Sequence, residues 1–180
     1  MDRQELDERA SAAIREHGID PSEGYDIVSL AKRMGFFVAT ASLDDGEDGF
    51  IMVNDGGERI LGTNSSKVIV VEKSLDQYLK RFVIAHELGH YEINGRNKPI
   101  FAHRKKRDGT RAENEQEVDH FAASLLMPKE AFCEKNRQLS VGGMSLADRT
   151  LELTRIFSAP MESVLRRMDE LGLLVGEVGE

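Results

Sequence analysis

The chain has 180 residues, 40% hydrophobic and 31% charged, which fits one folded domain and excludes a disordered chain. A net charge of −8 makes a general nucleic-acid coat unfavourable, because phosphates repel an acidic protein, so no direct nucleic-acid partner is expected. A single cysteine (Cys133), a charged start (MDRQELDERA) and no apolar run near the roughly 18 residues of a membrane helix exclude a disulfide scaffold and a membrane partner, and the expected location is the cytoplasm.

Apolar spacing predicts a helix at about 3–17, ended by Gly18 and Pro21, and a second at about 25–34, stopped by Gly35. Short β-branched and aromatic runs at 36–40, 50–54, 59–62 and 67–71, separated by turns such as Asp55-Gly56-Gly57, predict a small, mostly antiparallel sheet. Ser74 with Gln77 reads as a capping box opening a helix to about Ile93, closed by Asn94-Gly95. Residues 96–109, with Pro99 and the basic run His103–Arg107, read as a solvated loop that can rim a cleft. Thr110 with Glu113 is a second capping box, for a helix at about 111–126 closed by Met127-Pro128. Helices at about 129–136, 145–157 and 160–172 complete the core or present a docking surface, and 173–180 is a flexible tail. The fold class is α+β, one domain over 1–172, with the sheet packed on helices.

The chemistry lies in His86-Glu87-Leu88-Gly89-His90. Two histidines four residues apart share one helix face, so their imidazoles can converge on one zinc ion. Glu87, turned roughly 100° away, reaches a water on the metal more readily than the metal itself. Leu75, Leu79, Phe82, Val83 and Ile93 fall on the histidine face, which is therefore the buried one. Buried imidazoles need partners, and a metal satisfies both.

Zinc requires a third protein ligand. Cys133, His17, His103 and His120 are candidates, and the helix at 111–126 offers Glu113, Glu115 and Glu117. Helix phase favours Glu115, which shares a face with Val118, Asp119, Ala122 and Leu126; Glu113 and Glu117 project elsewhere as surface charge. Asp119 can accept the outer N–H of a ligating histidine and fix its tautomer. Ala122 and Ala123 allow the two helices to approach closely.

HELGH followed by E-x-x-x-D-x-F-A-A-x-L-L-M-P, from Glu115 to Pro128, resembles the ImmA/IrrE family of zinc metallopeptidases. The resemblance is strongest over about 82–128. It implies a zincin-like domain with the metal between the HELGH helix and the Glu-bearing helix: His86, His90 and Glu115 as ligands, Glu87 catalytic, Zn2+ as cofactor. It also implies a bacterial, phage or mobile-element setting in which the partner and protein substrate is a helix-turn-helix repressor, cleaved or otherwise inactivated to derepress mobile-element or stress-response genes. Many members carry an N-terminal helix-turn-helix domain. The segment before residue 36 leaves no room for one, so the expected target is a separate chain.

On that reading Glu87 takes a proton from water and returns it to the leaving amine. The sequence does not single out an oxyanion stabiliser; His103, Tyr91 and an arginine of the 104–107 run are candidates. The rival reading is a metal-bound regulatory module that inactivates a repressor without proteolysis. Met127 and Cys133 are most simply packing residues.

Overall fold

A computed structural model describes residues 1–44, 46–106 and 114–174 of the chain. Four strands, β1 (Phe37–Ala41), β2 (Glu47–Asn54), β3 (Lys67–Glu72) and β4 (Ile100–Lys106), form one sheet in the order β1-β3-β2-β4. β1 runs parallel to β3, whereas β2 is antiparallel to both β3 and β4. The sheet is thus mostly antiparallel, and the class is α+β.

Alternation along the strands feeds two apolar faces. Ile51, Val53, Ile69 and Val71 join the main core beneath the helices. Phe50, Val68 and Val70 point the other way and pack with Ile60. Burial on both faces explains the unbroken apolar run Val68–Val71, each such side chain contributing about 1.5–3 kcal/mol.

The segment 59–62 is not a strand but an irregular excursion that lays Ile60 over the outer face of the sheet. Leu61 adopts a positive φ, and the Thr63 hydroxyl donates to the Ile60 carbonyl at 2.7 Å, which turns the chain back. Residues 100–106, expected as a loop, form the edge strand β4. Its inward residues are Phe101 and His103 and its outward ones Ile100, Ala102 and Arg104, a period-2 pattern hidden because each face mixes apolar and polar residues.

Seven helices flank the sheet among the described residues: α1 (Arg3–Glu16), α2 (Ile27–Arg33), α3 (Gln77–His90), α4 (Glu115–Leu126), α5 (Lys129–Val141), α6 (Leu146–Phe157) and α7 (Met161–Glu170). Leu6, Ala10, Ala13 and Ile14 form the buried stripe of α1, which packs on α4. α3 is capped by Asp76 rather than Ser74: its Oδ1 accepts the backbone N–H of Tyr78 at 2.8 Å and of Leu79 at 3.0 Å. After His90 the helix loosens into a π-helical turn, Tyr91–Gly95. The Thr110–Glu113 capping box lies outside the described residues, as does 175–180.

Candidate metal centre

α3 is central and buried: every residue from Val83 to His90 is inaccessible or nearly so. α4 crosses it at close range. The approach depends on Gly89, where a Cβ would lie 3.1 Å from Val118 Cγ1 and 3.2 Å from Phe121 Cδ1. β4 approaches the other side. A Cβ on Gly95 would lie 2.8 Å from the Phe101 ring, so this glycine lets the strand lie along the end of α3.

These approaches bring three side chains to one point. His86 Nε2 and His90 Nε2 are 3.0 Å apart. Glu115 Oε2 is 3.2 Å from His86 Nε2, and Glu115 Oε1 is 3.3 Å from His90 Nε2. Among the described residues, His86, His90 and Glu115 form the group whose ligand atoms lie close enough to hold one metal ion. A tetrahedral ion with ligands at about 2.0–2.1 Å needs ligand atoms about 3.3 Å apart. The three separations fit that edge length.

The donor set fits a cation as well as the distances do. His86 Nδ1 faces Asp119 Oδ1 at 3.0 Å, and a carboxylate can only accept, so Nδ1 carries the proton. In the neutral ring Nε2 then presents a lone pair. That lone pair faces a second imidazole nitrogen and a carboxylate, and a cation between them removes the repulsion. With no cation between them the histidines can instead take up protons, and Glu115 is then held below its ordinary carboxylate range, first by its hydrogen bond with His86, against burial, and then by the charges of His86, His90 and His103. It is therefore ionised at neutral pH, as a ligand must be.

Glu87 is fully buried. Its Oε2 is 3.0 Å from His103 Nδ1. Its Oε1 has no hydrogen-bond partner among the described residues. A buried carboxylate oxygen without a partner is costly, and a water beside the cluster would satisfy it.

The other sequence candidates lie elsewhere. His17 caps α1, and Cys133 is half-buried on α5. His120 faces Asp7 and Glu170 on the far side of α4. Glu117 pairs with the N-terminal ammonium, and Glu113 lies outside the described residues. The Tyr91 hydroxyl accepts from Lys67 Nζ, and Arg104 pairs with Glu47 at 2.8 Å, so each is engaged away from the cluster. Met127 is buried, and its carbonyl accepts from Arg167 Nε. Among the described candidates beyond α3 and α4, His103 alone reaches the centre, because β4 is a strand; Arg107 lies outside the described residues.

Residues 31–169 match the Peptidase_M78 family, described as the IrrE N-terminal-like domain. The chain belongs to this family. Among solved structures it is similar to a Mycobacterium tuberculosis transcriptional regulator, with 18% identity and a TM-score of 0.57. The match covers 92% of this chain but 47% of that one, so this Peptidase_M78 domain spans about half its neighbour's length. At that identity the likeness shows the fold alone. No curated protein matches. No described helix is long and apolar enough to cross a membrane.

Proposed function

We propose that this chain is a zinc metalloendopeptidase, with His86, His90 and Glu115 as metal ligands, Asp119 supporting His86, and Glu87 as the general base. The observation that carries this is the convergence of two imidazole nitrogens and one carboxylate at tetrahedral-edge separations. A zinc ion there would lower the pKa of water toward about 7 and polarise a scissile carbonyl. The chain's own residues do the rest. Asp119 holds His86 in the tautomer with Nδ1 protonated. Glu87 Oε1 accepts a proton from the attacking water and passes it to the leaving amine nitrogen. The walls of α3, α4 and β4 keep the acid and its partner groups largely out of bulk solvent.

The substrate we assign is a separate helix-turn-helix repressor, cleaved in the cytoplasm to release mobile-element or stress-response genes. Family membership supports a protein substrate. The structural neighbour's description as a transcriptional regulator is consistent with that assignment. The test is incubation of zinc-loaded protein with helix-turn-helix repressors from the same genome, read by mass spectrometry. Specific fragments that vanish with Glu87→Gln, while that variant keeps its zinc, support the peptidase. Tight binding with no fragment contradicts it and favours a regulatory module that acts without proteolysis.

A further inference from the structure

His103 is the residue at the centre that neither the metal set nor the base accounts for. It comes from edge strand β4, paired opposite Ile51 of β2. Its ring stacks on His90, with centroids 3.4 Å apart and planes at 24°. Its Nδ1 is 3.0 Å from Glu87 Oε2, while its Nε2 is 3.5 Å from Glu115 Oε1, beyond a good hydrogen bond. The side chain is mostly buried, and its rotamer is held by the stack on His90 and the contact of Nδ1 with Glu87.

We propose that His103 is the positioning residue for Glu87, which rests on the peptidase reading above. A carboxylate accepts only, so the contact requires a proton on His103 Nδ1. That bond occupies Oε2 and fixes the carboxyl plane. Oε1 is left as the oxygen that receives the proton of the attacking water. The stacking on His90 sets the ring's height above α3, so β4 determines the orientation of a base it does not carry. His103 stands outside the metal set: its Nδ1 is taken by Glu87, and the ligand atoms that converge are those of His86, His90 and Glu115.

Two measurements test this separately. In zinc-loaded wild-type protein, 15N NMR of the imidazole should show a proton on His103 Nδ1; a bare Nδ1 overturns the proposal, whether or not a substrate is ever cleaved. With a cleavable repressor, His103→Ala should lower kcat by about 10- to 100-fold with KM almost unchanged, and His103→Asn, whose amide can donate from nearly the same place, should restore most of it. An unchanged kcat, or an equal loss in both variants, overturns it. Zinc affinity by chelator competition should stay near the wild-type value in His103→Ala. A fall as deep as that of His90→Ala would make His103 a ligand and also overturn the proposal. If wild-type protein cleaves nothing, the peptidase reading fails while the NMR result still decides whether His103 holds Glu87.

Discussion

α4 carries the candidate ligand Glu115 on one side and His120 on another, and His120 is the means by which α1 and α7 hold it. His120 Nε2 lies 3.3 Å from Asp7 Oδ1 of α1, and Nδ1 lies 3.3 Å from Glu170 Oε2 of α7. Arg167, 1% exposed, completes the cluster 2.9 Å from Asp7. Burial alone would push the His120 ring toward neutrality, but the two carboxylates outweigh it and raise its pKa from 6.5 to about 9. Asp7 and Glu170 are lowered: burial opposes this in each, and the bonds to His120 and the charge of Arg167 overcome it. The raised histidine therefore stabilises the fold fully below its unfolded value and loses that contribution as pH climbs through about 9. The lowered carboxylates contribute above their unfolded range and lose it in acid. The difference between about 9 and 6.5 corresponds to at most about 3 kcal/mol. The assay is urea unfolding of chelator-treated protein at about pH 6 and about pH 10, for wild type and His120→Gln. Wild type should lose about 2–3 kcal/mol more than the variant over that interval. Equal losses, to within about 0.5 kcal/mol, would refute the reasoning.

Other predictions concern how α4 meets α3. Asp119→Asn keeps an acceptor for His86 Nδ1 but removes the charge, so zinc affinity should fall about 10-fold in a chelator competition, and Asp119→Ala should cost more. Gly89→Val places a branched side chain where even a Cβ is crowded by Val118 and Phe121. It should destabilise the metal-free fold by about 1–3 kcal/mol in urea unfolding and weaken zinc binding, because Glu115 moves with α4. Glu115→Gln should weaken zinc binding while leaving the far-UV circular dichroism unchanged, since its side chain serves the cluster rather than the core.

The legible part of the site was the part written in local periodicity. His86, Glu87 and His90 sit in one turn of an apolar-striped helix, and Glu115 and Asp119 could be separated from Glu113 and Glu117 by helix phase. β4 was hidden because its pairing with β2 spans about fifty residues and its inward positions, Phe101 and His103, sit within a polar, basic run. The engagement of His103 with Glu87 follows from that pairing, and no local signal reports it. The π-helical turn and the approaches at Gly89 and Gly95 likewise depend on neighbours distant in sequence. Arg167 is buried because Asp7, at the other end of the chain, accepts its charge, and no local pattern reports that pairing. In the C-terminal helices Leu153, Phe157, Val164 and Met168 enter the core, whereas Leu151 and Leu165 are exposed.

X-ray absorption at the zinc edge, combined with a crystal structure of the loaded protein, tests the metal centre most directly. One zinc per chain is expected, with two imidazole nitrogens at about 2.0–2.1 Å and a carboxylate oxygen at about 2.0–2.2 Å, from His86, His90 and Glu115. Zinc held by any other residues, or no zinc at stoichiometric level in protein that retains its fold, would contradict the account.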